Sequence, residues 1–212
     1  MKKLLKIIVA VAFVVCLTPI GVFAQEKEIS YFELIEIADP YIEKDDLFYK
    51  ISNEDELRNI LGDKYFGLVE DRVVAANEEI KKTNINREAV HDVHIAILEA
   101  NGNTVEAFWW GKKVKTYGRT NAINTRDIMS GFSQTASDAG LLAALTAAGI
   151  SFIPGYGTAA TVAGIAIGVV SWADATTWSK ASGGIATQID NGVYYITIDI
   201  NAWNMDVQVY AS

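Results

Sequence analysis

Residues 139–173 read AGLLAALTAAGISFIPGYGTAATVAGIAIGVVSWA, and these 35 residues between Asp138 and Asp174 include no charged side chain. Within them, Phe152-Ile153-Pro154-Gly155-Tyr156-Gly157 marks a turn, because proline presets φ and glycine accepts a left-handed backbone. A helix-length stretch lies on each side, roughly 135–151 and 158–176. The pattern predicts an apolar helical hairpin over 135–178, polar at its base and apolar at its tip.

Small residues recur along both arms. Gly140, Ala144 and Ala148 repeat every four positions, as do Ala160, Gly164 and Gly168, with Gly157 beside the turn. Such spacing places them on one helix face, where absent side chains let two backbones approach. Glycine inside a helix costs about 1 kcal/mol relative to alanine, so these ladders predict tight helix–helix packing. Each arm holds about 15 apolar or small residues, fewer than the roughly 20 a membrane-spanning helix needs. Two readings follow: a hairpin that engages a bilayer, and a hairpin buried in a protein core.

Upstream, Lys112, Lys113, Lys115 and Arg119 are interleaved with Trp109, Trp110 and Tyr117 in a stretch without acids from Ala107 to Thr125. Aromatic rings with basic side chains are the composition of a membrane interface, where rings sit at headgroup level and cations meet anionic lipid. An exposed basic strand facing the acidic N-terminal part is the plainer reading of the same residues.

The flanks complete an α+β chain with an N-terminal helical part, a central β segment, the apolar helical hairpin and a C-terminal antiparallel β-hairpin. Val93–Leu98 is β-branched enough for a strand, and Asn101-Gly102-Asn103 reads as its turn into 104–110. Gly111–Arg119 extends this as a further strand. At the C-terminus, 184–189 leads into Asn191-Gly192, another hairpin turn signal, before the alternating run Val193–Ile200 and a last strand at 205–210. The N-terminal part predicts a short helix from Tyr31 that stops before Pro40, an extended piece at 47–51, and helices after Ser52 and over about 64–82.

Lys2, Lys3 and Lys6 precede an apolar run, Ile7–Leu17, and then Val22-Phe23-Ala24. This is the order of a secretory signal peptide with cleavage after Ala24. The expected organisation is a signal peptide over 1–24, an acidic helical module over 25–86 and an α+β domain over 87–212, in a secreted, extracellular protein. Without residues 1–24, which contain Cys16, the chain has no cysteine and holds 15 basic against 26 acidic residues. That balance argues against a nucleic-acid partner. Residues 25–100 contain 19 acids and 9 bases, against 7 and 6 in 101–212.

Catalytic patterns are sparse. The only histidines are His91 and His94, without the glutamate spacing of a zinc protease. On a strand they would face opposite sides, whereas on a helix they could share a metal. Neither a Gly-x-Ser-x-Gly elbow nor a cysteine nucleophile is present, so no enzyme activity, cofactor or metal is expected.

The chain resembles secreted bacteriocin-like proteins of Gram-positive bacteria. The matching residues are Ala38-Asp39-Pro40-Tyr41-Ile42, Asn77 at a helix end, Trp109-Trp110-Gly111, Ile153-Pro154-Gly155, Gly183-Gly184 and Asn191-Gly192-Val193. Lys112-Lys113-Val114 and Gly118-Arg119-Thr120 depart from the aromatic, Leu-Ser-containing strand that follows Trp-Gly in that group. The resemblance implies an antimicrobial, membrane-active protein whose partners are a target-cell membrane or surface receptor, with an immunity protein protecting the producer. A secreted, non-catalytic cell-surface or binding protein with a buried hairpin is the alternative.

Overall fold

The computed structural model describes residues 28–85, 92–134, 139–168 and 172–212. The signal peptide over 1–24 and His91 fall outside these residues. Tyr31–Ser212 forms one compact unit, so the helical part and the α+β part anticipated from the sequence share a single body.

Helix α1 (Tyr31–Ala38) ends in a 3-10 turn over Asp39–Tyr41 with Pro40 in its first positions, and the hairpin β1 (Ile42–Asp45) and β2 (Phe48–Ile51) follows. Helix α2 (Glu54–Ile85) opens with Glu54, Asp55 and Glu56, acids that favour a helix N-terminus. It breaks at Gly62 (φ 70°, ψ 164°), matching the two successive helices anticipated there. Asn77 lies inside α2, not at a helix end. Its amide bonds both the N–H and the C=O of Tyr49 at 2.8 Å, clamping β2 to the helix.

Residues 93–100 form helix α3, which corrects the expected strand. The Asp92 side chain accepts from the His94 N–H and caps the helix, satisfying an end donor that a strand would have paired elsewhere. At the other end the Gly102 N–H reaches Glu99 O and the Asn103 N–H reaches Leu98 O, with Gly102 at φ 85°. This is a Schellman cap, so Asn101-Gly102 closes a helix and does not turn a hairpin. The hairpin is formed instead by β3 (Thr104–Phe108) and β4 (Gly111–Lys115), turning at Trp109-Trp110.

Helices α4 (Arg119–Phe132), α5 (Ala139–Ala147) and α6 (Ala159–Gly168) come next, with a two-pair ribbon of β5 (Phe152–Ile153) and β6 (Gly157–Thr158) between α5 and α6. Residues 175–190 form helix α7, where a strand approach was expected. Asp174 caps its start through the Thr177 N–H at 2.7 Å. Its end repeats the Schellman bonding, Gly192 N–H to Ile189 O and Val193 N–H to Gln188 O. An added Cβ on Gly184 would collide with the Val209 side chain, so that glycine is where α7 lies closest to the sheet.

The last strands are β7 (Ile196–Asn201) and β8 (Val207–Ala211), and the main sheet is antiparallel in the order β3-β4-β7-β8. Ile196, Ile198 and Ile200 point with Val114 into the core. Helices α3 to α7 supply the rest of that core through Ile97, Ile128, Leu141, Val162 and Ile185. The opposite sheet face is polar. There Lys113 lies 3.7 Å from Asp199, Lys115 bonds Glu106 at 3.1 Å, and the Tyr210 hydroxyl donates to Asp199 at 2.9 Å.

Burial holds the Asp199 carboxyl above the usual carboxylate range, opposed by Tyr210 and Lys113; burial and the Asp199 carboxylate push Tyr210 up to about 12. A raised carboxyl favours the folded state below its ordinary range and loses that contribution as pH rises through the folded value. Asp199→Asn is therefore expected to shift the urea midpoint upward at neutral pH and to lose this advantage below about pH 4.

Candidate functional site

Residues 139–168 keep their uncharged character in three dimensions but not the long-armed shape expected of them. Helix α5 has nine residues and α6 has ten, about 14 and 15 Å of rise, half of a hydrocarbon core of roughly 30 Å. No helix among the described residues is long and apolar enough to cross a membrane. The first arm stops early because Gly149 (φ 74°) caps it, with Gly149 N–H to Thr146 O and Ile150 N–H to Leu145 O. With Gly102 and Gly192 it makes three Schellman caps among the described residues.

The segment has two sides. Leu141, Leu145, Val162 and Ala163 have no exposed surface. The outer side holds Phe152, 60% exposed, with Pro154, Gly155, Ala160 and Gly164 also exposed. The two ladders behave differently. Ala144 is buried and Gly140 and Ala148 are half-buried, Gly140 lying against the Gln134 side chain. Gly164 has open space where its Cβ would be, so the Ala160–Gly164 part of the second ladder faces away from the protein. The tight packing predicted for it does not occur. Gly168 is the last residue of α6, and Gly157 (φ 98°) sits in the ribbon.

The end of α6 is held by His94, 2% exposed on α3. Its Nδ1 lies 2.9 Å from Asp92 Oδ1 and its Nε2 lies 3.0 Å from the Ala166 carbonyl oxygen. Both partners can only accept. A neutral imidazole has one N–H and serves one of them; the doubly protonated ring serves both. Ala166 lies in the last turn of α6. Phe132 meets the imidazole edge-on at 4.8 Å and Trp178 stacks on it at 6.0 Å, with Trp172 packed 4.9 Å from Trp178. On sequence grounds a structural or exposed role for His94 outweighs a metal site, and the carboxylate two positions earlier is the signal that fixes that role. Among the described residues no cluster of three metal-ligating side chains occurs.

The aromatic and basic residues expected at an interface are placed otherwise. Trp109 and Trp110 are buried at 2% and 5% exposure. Trp109 donates from its indole to Asp39 at 2.9 Å, and its carbonyl accepts from Arg72 at 2.8 Å. These bonds fasten the N-terminal helical part to the β3–β4 turn, and Trp110 stacks on Phe108 at 5.2 Å. Lys112 falls on the core side of β4, 4.7 Å above the Trp172 ring. Burial pulls its amine below the usual lysine range, partly offset by Glu79 and Asp92. Lys113 and Lys115 pair with acids of their own sheet, not with the acidic N-terminal part. Arg119 is the one base of this set at an exposed position, 5.5 Å from the Tyr194 ring, and Tyr117 is exposed near it.

Among the described residues the Tyr156 hydroxyl and the Trp172 indole nitrogen are buried without a hydrogen-bond partner. Burial raises the Tyr156 hydroxyl, with the Asp92 charge adding to it. Comparison of this chain with protein-family models, curated proteins and solved structures finds no match.

Proposed function

We propose that this is a secreted, bacteriocin-like antimicrobial protein that acts on target membranes through its uncharged segment. The observation that carries the reading is the two-sided character of residues 139–168. Thirty consecutive residues lack any charge, and their outer side exposes Phe152, Pro154, Ala160 and Gly164. An uncharged, partly apolar surface of this kind marks a contact site. The short arms make the first engagement shallow, with Phe152 and the ribbon entering the interface. Deeper insertion requires α5 and α6 to leave the core.

Liposomes loaded with dye test this directly. The chain from Gln25 onward is expected to release dye from phosphatidylglycerol vesicles and to inhibit growth of Gram-positive cells. Phe152→Asp is expected to weaken release about tenfold or more, since burying one phenylalanine is worth about 1.5–3 kcal/mol. Because Phe152 is exposed, that variant should fold normally. Absence of leakage and of growth inhibition by a folded protein overturns the reading. A secreted binding protein with a permanently buried segment then stands in its place, favoured by the complete burial of Leu141, Leu145, Val162 and Ala163.

A further inference from the structure

Two clefts share the turn that ends α5 in their walls, Ala148 lining one and Gly149 the other. The first, about 390 Å³, is lined by Asn101, Tyr117, Arg119, Thr120, Asn124 and Ala148 among others. The second, about 290 Å³, is lined by Thr146, Gly149, Ile150, Thr158 and Ala160 among others. Ala148 and Gly149 are consecutive, so the two walls meet across a single peptide unit. Each volume lies near the lower end of the range for small-molecule sites, and together they fall within it.

Their chemistries differ. No acidic residue lines the first cleft, in a protein whose net charge is −8. Arg119 makes no ion pair among the described residues, and the Thr120 and Asn124 side chains make no hydrogen bond there. The back wall is fixed. Asn121 Nδ2 donates to Asn101 O at 2.6 Å, Asn121 Oδ1 accepts from the Tyr117 N–H at 2.7 Å, and Asn101 Nδ2 donates to Thr125 at 2.9 Å. Behind it Asn103, 6% exposed and bonded to Thr125, retains an Nδ2 without a partner among the described residues. The second cleft contains no charged residue, and its Thr146 hydroxyl is already spent on the Leu142 carbonyl.

We propose that the paired clefts bind one anionic amphiphile. Its phosphoryl head lies at Arg119, Thr120 and Asn124, and its hydrocarbon chain crosses the Ala148–Gly149 peptide into the uncharged cleft. A guanidinium with free neighbouring donors suits phosphoryl oxygens, and the adjoining apolar wall gives the chain a place out of water. The ligand's source, a bilayer phospholipid or a free alkyl phosphate, presents the same chemistry. The inference rests on the membrane reading for that source. Binding of a monomeric amphiphile and leakage of a bilayer are read separately, so either can fail alone.

Titration calorimetry with decyl phosphate, 1-decanol and inorganic phosphate is the test. Decyl phosphate is expected to bind at least about tenfold more tightly than either fragment, because neither fragment makes both sets of contacts. Arg119→Gln should lower its affinity about tenfold by removing a charged hydrogen bond, leaving decanol binding unchanged. Ala160→Asp should lower decyl phosphate and decanol binding together. Both residues are exposed, and an unchanged thermal midpoint verifies the fold. Competition by phosphatidylglycerol vesicles supports the bilayer as source, and its absence beside intact decyl phosphate binding supports the free alkyl phosphate. No decyl phosphate binding, inorganic phosphate binding as tightly as decyl phosphate, or an Arg119→Gln protein with unaltered affinity would each overturn the proposal.

Discussion

Gly111→Ala is expected to cost about 3–5 kcal/mol, enough to unfold a protein of ordinary stability. Gly111 opens β4 opposite Asn201 in β7. An added Cβ would overlap the carbonyl oxygen of Ile200 and press within 3.1 Å of the Ala202 nitrogen. Both are backbone atoms, Ile200 within β7 and Ala202 just beyond it, and the Ala202 N–H is already bonded to the Trp110 carbonyl at 2.9 Å. No side chain is available to rotate away, so the strain must separate β4 from β7. Urea unfolding followed by tryptophan fluorescence reads the loss. Gly164→Ala is the internal control with the opposite sign. It lies in a helix with open space around the new methyl, and is expected to gain up to about 1 kcal/mol. Equal midpoints for the two variants would contradict this account.

His94→Ala is the second large effect, with an expected loss of about 3 kcal/mol. The substitution removes the donor to Ala166 O and the partner of Asp92, and it leaves a void beside Phe132 and Trp178. His94→Gln retains bulk and one amide donor, and should lose roughly half as much. The position of the damage matters as much as its size. Because His94 joins α3 to the end of α6, amide exchange should accelerate first in α6 and least in β7. A uniform acceleration over the whole core would mean that His94 contributes packing without securing that helix.

The α+β class and the order of its main parts were legible from residue pattern. The alternation at Ile196, Ile198 and Ile200 identified the core strand, and Pro40 bounded a helix as its backbone restriction requires. The errors have one common physical source. Asn101-Gly102 and Asn191-Gly192 each place a left-handed glycine after a polar residue, which serves a two-residue hairpin and a helix C-cap equally well. Choosing between them depends on what precedes the pair. Before the first, β-branched residues argued for a strand, yet the Asp92 cap and burial of Val93 and Ile97 made a helix. Before the second, Gly183-Gly184 lowered helix propensity, and the reason for Gly184 is visible only when Val209 lies against it. Within the candidate site, the uncharged run and its turn were legible, whereas the exposure of Gly164 and the burial of Trp109 and Trp110 were not. A four-residue spacing fixes which residues share a helix face, but not what that face meets.

The sheet order has a consequence for how the molecule is born. Strand β7, buried along its whole length, inserts between β4 and β8, and it pairs with a strand some 85 residues earlier. Pairing across such a separation is slow, because loop closure precedes its reward. Residues 139–168 are therefore synthesised before the strand that completes the core they share exists. Each nascent chain passes through an interval in which its uncharged segment has no finished core to occupy, and a chaperone or a membrane has its best access then. The proposed deep insertion would need the segment out of the core, a condition each chain meets during synthesis before its core is complete.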